Sequence, residues 1–174
     1  MNPYSLKLTR SLSFSQWNSY QKPVVSSKTL AQLIRRNPAI RVLALANLGL
    51  QARHVQALLR GPWPALLEHL CLLYNPRLVN QPWGDTMAEK LQDNQNTTLE
   101  TVVLPRPCHA VDVWTTLNRH GRARLIQATQ GSDEHSKTWQ GMMVSSRQEP
   151  NERLRVNLAF ELIRQNPALA VQSL

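Results

Sequence analysis

The first 67 residues contain no acidic side chain; Glu68 is the first. Glycine is scarce, six in 174 residues and never clustered, so no Gly-rich loop is available to cradle a phosphate. The two cysteines, Cys71 and Cys108, cannot build a disulfide framework, and a reducing compartment is the simpler expectation. No apolar run approaches the ~20 residues of a membrane-spanning helix. The N-terminus also lacks the apolar stretch and small-residue cleavage site of a secretory signal. His54, His69, His109, His120 and His135 are scattered, without metal-ligand spacing. No cofactor and no metal are expected.

What is present describes a soluble globular chain, 42% hydrophobic and 18% charged, of a size expected to form one domain over residues 1–174. The net charge of +9 is unevenly placed. Before Glu68 come Lys7, Arg10, Lys22, Lys28, Arg35, Arg36, Arg41, Arg53 and Arg60, whereas later bases and acids balance. Such asymmetry points to an anionic partner, whether nucleic acid, membrane surface or acidic protein. An export or organelle signal would share the Ser-rich, acid-free character of "MNPYSLKLTRSLSFSQW". Chance clustering on solvated helix faces gives the same composition.

A repeat runs through the chain. The triplets Ile40/Leu43/Leu45, Leu67/Leu70/Leu72 and Leu99/Val102/Leu104 share the frame L-x-x-L-x-L, with a weaker copy at Leu12 and Phe14. Segments of helical periodicity lie between them at 26–37, 50–61, 84–94 and 110–121. Stop signals follow these segments at Asn37-Pro38, Gly61-Pro62, Asn94 and Gly121. "LIRRNPAIRVLAL" (33–45) is echoed by "LIRQNPALAVQSL" (162–174), after a helix near 150–166 carrying Leu154, Leu158 and Leu162. The echo predicts that the chain ends on a strand. Residues 123–130 read as a further strand and 131–148 as a long loop or insertion outside the frame.

Alternation within each strand sends the fourth and sixth frame positions into one core, while each helix returns the chain outside it. A doubly wound sheet also alternates strands and helices, but the registered frame and short strands favour stacked units. On these residues the sequence resembles the ribonuclease-inhibitor-like class of leucine-rich repeats. The resemblance implies an α/β fold, a right-handed solenoid or horseshoe with a parallel inner sheet and outer helices. Repeats would lie near 8–38, 39–65, 66–98 and 99–121, followed by an irregular stretch over 122–148 and a terminal helix and strand over 149–174. The family places Asn or Cys in the ninth slot to bond the turn backbone; only Asn75 complies, against Trp17, Leu48 and Pro107.

The resemblance also implies a function, that of a protein–protein interaction scaffold binding on its concave face. The predicted contact residues are His69, Cys71, Leu73, Tyr74, Glu100, Thr101, Val103 and Arg106, with Trp139 from the irregular stretch. A terminal segment folded over this patch is the bland alternative. His69 and Cys71 share a strand face, yet no orienting group or oxyanion hole accompanies them, so an enzyme is not expected. The expected partner is another protein, an acidic one included, in the cytoplasm. The alternatives are a basic module binding anionic lipid or nucleic acid through the N-terminal third, and the repeat domain of a secreted bacterial effector. Of the five tryptophans, Trp114 reads as core, and Trp17, Trp63 and Trp83 as rim packing.

Overall fold

The computed structural model describes residues 11–13, 26–61, 64–79, 83–93 and 97–172. Four parallel strands of three residues each, β1 (Ser11–Ser13), β2 (Val42–Ala44), β3 (His69–Cys71) and β4 (Thr101–Val103), pair in consecutive order. Leu43 is opposite Leu70, and Leu70 is opposite Val102. The order never reverses, so there is no switch point of the doubly wound kind. Between strands run α1 (Ser27–Arg36), α2 (Ala52–Arg60) and α3 (Trp83–Gln92). Beyond β4 the described chain is wholly helical: α4 (His109–Arg119), α5 (Arg122–Gln127), α6 (Asp133–Arg147), α7 (Glu152–Gln165) and α8 (Pro167–Gln172).

Local chemistry accounts for these elements. Ser26 caps α1 by accepting from the Thr29 N–H (3.1 Å), Ser132 caps α6 from His135, and Asn151 caps α7 from Leu154. Leu30 and Ile34 face inward from α1, as do Val55 and Leu59 from α2 and Met87 and Leu91 from α3. They meet Leu43, Leu45, Leu70 and Leu72 on the inner side of the sheet. Burying each such leucine stabilises the fold by about 2 kcal/mol.

One buried side chain ties the successive turns together. Asn75 is fully enclosed. Its Oδ1 accepts from the Leu48 and Leu50 N–H groups (3.1 and 3.0 Å). Its Nδ2 donates to the carbonyls of Leu45, Leu72 and Leu73 (2.9, 2.8 and 3.1 Å). Both turns need a left-handed residue, supplied by Asn47 and Tyr74, each at φ 55°. Asparagine tolerates that region; the bulky Tyr74 adopts it at a cost of about 1 kcal/mol.

α2 begins with a histidine acting as acceptor, His54 Nδ1 receiving the Gln51 N–H at 2.9 Å. Burial, aided by the neighbouring Arg53 charge, lowers the His54 pKa below 6.5. The His120 pKa is lowered too, first by burial and then by Arg119, with Glu149 opposing. A base whose folded pKa is depressed binds protons preferentially in the unfolded state. Its contribution is therefore present above pH 6.5 and lost as pH falls through the folded value. Thermal melts should show the melting temperature dropping as pH falls below 6.5. His54→Gln should flatten part of that slope, and an unchanged slope would remove His54 as its source.

The leucine-rich-repeat assignment is overturned. The sheet is small and open, and it stops at β4. Residues 123–130 contain all but the first residue of α5 where a strand was expected, 131–148 contain the 15-residue α6 where a loop was expected, and 167–172 form α8 where a closing strand was expected. The molecule is a mixed α/β fold with a short sheet at one end and a helical array at the other, not a curved multi-repeat solenoid. With no horseshoe there is no concave wall, so the concave-face scaffold falls with it.

Among the described residues the alternatives have nothing in the fold to carry them either. Arg35, Arg36 and Arg60 occupy the last turns of α1 and α2, where a cation complements the helix dipole. Arg41 is paired with Glu68 at 2.6 Å. These basic residues are accounted for as helix ends and an ion pair, without an anionic surface or an effector's repeat array. Lys7, Arg10, Lys22 and the proposed export segment lie outside the described residues.

Candidate functional site

The structure brings most of the predicted contact residues to one place without making a groove of them. His69, Tyr74, Val103 and Arg106 are exposed, and Cys71, Leu73, Glu100 and Thr101 are half-buried, all on or beside β3 and β4. The strip is three residues tall. His69 and Cys71 lie on the same strand. Trp139 is elsewhere: it is buried, and its indole N–H donates to the Leu162 carbonyl at 3.2 Å, fastening α6 to α7. Trp83 and Trp114 are also core residues, whereas Trp17 and Trp63 lie outside the described residues.

The helical half holds the features that sequence reasoning missed. α7 packs against α4 and α6 through Leu154, Leu158 and Leu162. At 100° per residue, Val156, Phe160 and Ile163 fall nearly opposite those leucines. They are 60%, 58% and 44% exposed. α7 is therefore apolar on two opposite sides, although only one is covered. A helix with this pattern is normally enclosed by neighbours on both. Val144 of α6 and Val171 of α8 are exposed as well. The signal was present in the sequence as a second run at spacing i, i+4, i+7, beside the leucine run that was read.

Charge borders this stripe. Arg153 and Arg164 project along one edge by helical geometry, and Glu152 begins the helix. Arg164 donates through Nε and Nη2 to Glu161 Oε2 (2.9 and 2.7 Å). At the junction with α4, Asn157 Nδ2 donates to His109 Nε2 at 2.6 Å. One turn on, burial raises the Asp112 pKa while the His109 charge opposes the rise. This polar seam sets the rotation of α7, which in turn fixes the direction of the apolar stripe.

Chemistry of other kinds finds less support. Among the described residues no group of three or more His, Cys, Asp or Glu side chains is placed to hold a metal ion. A cavity of about 30 Å³ under α1 and α2 is lined by Ile34, Leu43, Val55, Leu59 and Leu70. It is a largely apolar packing gap, large enough for a water or two. Comparison with family models, curated proteins and solved structures finds no match, so the exposed stripe stands on its own geometry.

Proposed function

We propose that this chain is a protein-binding module that docks an amphipathic, acidic helix of another protein against the outer face of α7. The observation that carries the reading is the second apolar side of α7, with Val156, Phe160 and Ile163 exposed in line. A helix laid along that side presents its own i, i+3, i+4 and i+7 anchors to the stripe. The occupant's charge follows from the edge set by Arg153. Two copies, each with a net charge of +9, repel, which disfavours pairing of the chain with itself.

The test is a titration of the isotope-labelled chain with a synthetic helical peptide bearing a leucine face flanked by glutamates. A peptide flanked by lysines serves as the control. The glutamate peptide should shift resonances of α7 and α8, and Phe160→Asp should weaken it about 30-fold, as for an aromatic anchor worth ~2 kcal/mol. The substitution lies on the surface and should change stability by less than about 0.5 kcal/mol. Failure of the peptide to perturb α7, equal binding of both peptides, or sedimentation showing α7 buried in a homodimer would each overturn the reading.

A further inference from the structure

His109 is the first residue of α4, and Asn157 stands midway along α7, which packs against that helix. The Asn157 amide nitrogen meets two atoms, the Arg153 carbonyl oxygen at 3.0 Å and His109 Nε2 at 2.6 Å. A carbonyl oxygen can only accept, so the Asn157 group beside it is the NH2 and not the amide oxygen. The other N–H of that NH2 then needs an acceptor, which His109 Nε2 supplies. The ring is thereby fixed as neutral, with its proton on Nδ1. Turning the amide over does not accommodate a protonated ring, because Asn157 Oδ1 would then face the Arg153 carbonyl.

The surroundings offer a charged ring a different partner. Asp112 lies one turn on in α4, at i+3 from His109. Burial raises its pKa and the His109 charge pulls it back down, so the two groups feel each other. On α7, Arg153 and Glu161 stand one turn to either side of Asn157, and Glu161 is engaged by Arg164. α3 brings Asp85, next to Gly84, where an added methyl would stand 2.9 Å from Cys108 Sγ. The turn from β4 carries the exposed Arg106. Glu100 and Arg119 meet at the far end of α4, with Arg122 opening α5 beyond, about 15 Å along the axis. The N-terminal end of α4 also opposes a cation at its first residue.

We propose that His109 is an acid-released latch between α4 and α7. While neutral, it accepts from Asn157 and holds α7 at its polar seam. On taking a proton, its Nε2–H meets the Asn157 N–H, donor against donor, and the ring turns to the Asp112 carboxylate on its own helix. α7 then loses this tie and keeps its leucine contacts. The closed latch requires the neutral ring, so it is engaged at neutral pH and above and lost as acid protonates the ring. The device concerns how firmly α7 is held, and it stands whether or not the outer face docks a partner.

Nitrogen-15 NMR of the labelled chain reads the latch directly. At about pH 8 the His109 ring should carry its proton on Nδ1 and none on Nε2. On acidification to about pH 5, α7 amides around Asn157 should shift with the midpoint of the His109 ring. Their hydrogen exchange, corrected for the intrinsic effect of pH, should accelerate about tenfold, as for one lost hydrogen bond. His109→Gln keeps an acceptor at every pH and should abolish the response. Asn157→Asp offers an acceptor to the charged ring and should reverse it, holding α7 more firmly in acid. A proton on Nε2 at the higher pH, or α7 amides that ignore the ring's midpoint, would overturn the proposal. So would a response that survives His109→Gln or keeps its direction in Asn157→Asp.

Discussion

Replacing Asn75 by alanine is expected to destabilise the fold by about 4 kcal/mol, because two buried N–H groups and the carbonyls of Leu45 and Leu72 lose the bonds Asn75 makes, while the Leu73 carbonyl keeps only the Asn47 N–H. The turns after β2 and β3 bring those five groups inside, out of reach of water, so the cost exceeds that of a single lost hydrogen bond. A protein of this size holds only about 5–15 kcal/mol in total. The melting temperature should therefore fall by roughly 10 °C. Asn75→Asp should be at least as damaging. Aspartate still accepts from Leu48 and Leu50, but it turns a buried negative charge toward the carbonyls of Leu45, Leu72 and Leu73. Denaturant titration reads both variants, and a loss under about 1 kcal/mol for alanine would show that other groups take over the bonds.

Arg122→Met is expected to cost about 3 kcal/mol and to loosen the helical half selectively. Arg122 is 1% exposed. Its Nη1 donates to the Leu91 carbonyl (2.5 Å) and its Nη2 to the Gln92 carbonyl (2.6 Å). It thereby caps the C-terminus of α3, whose last carbonyls have no partner within the helix. The guanidinium also lies over the Trp114 ring, 4.4 Å from its centre. Asn118 extends the network to the Leu99 carbonyl at 2.9 Å, ahead of β4.

Burial pulls the Arg122 pKa down to about 10, so at neutral pH the cation persists although the interior disfavours it. Methionine removes that charge along with the cap, which is why the net loss should fall below that of Asn75→Ala. Arg122→Lys keeps the charge but cannot fork to two carbonyls. Hydrogen exchange of α3 and α4 should accelerate in both variants while the sheet amides change less. Uniform acceleration across the protein would place the effect on global stability instead.

The sequence was most legible where neighbours repeat one another. Leu43, Leu70 and Val102 pair across the sheet because each opens onto the same core, and the intervening helices carry apolar residues at helical spacing. Extending that frame past Leu104 failed for a physical reason. The segment after Pro38 enters a strand with β1 and β3 on either side to pair with. The segment after Pro167 shares only Ala, Val and Leu with it and carries Gln172 where Leu43 enters the core, and the proline starts a helix instead. A β conformation depends on partners that a local echo does not specify.

The helical character of 131–148 was readable by another route. Ser132 is a helix cap, Asp133 and Glu134 occupy the first turn, and His135, Trp139, Met142 and Ser146 follow at helical spacing on the buried side. Treating the stretch as an interruption of a repeat hid that pattern. The network around Arg122 was not legible at all, because nothing in a linear sequence says that an arginine after Gly121 will be enclosed by the end of α3. The second apolar run of α7, by contrast, was legible as Val156, Phe160 and Ile163 at spacing i, i+4, i+7.

That uncovered side of α7 has a consequence for the chain when it is alone. Quality-control machinery grips bare greasy surface, and proteins that display it are continually triaged. A chain whose greasy helix stays uncovered until its companion arrives would be cleared while unpaired and spared once joined. Its cellular level would then follow the supply of that companion more closely than its own rate of synthesis, so removing the companion should shorten its lifetime without touching its message.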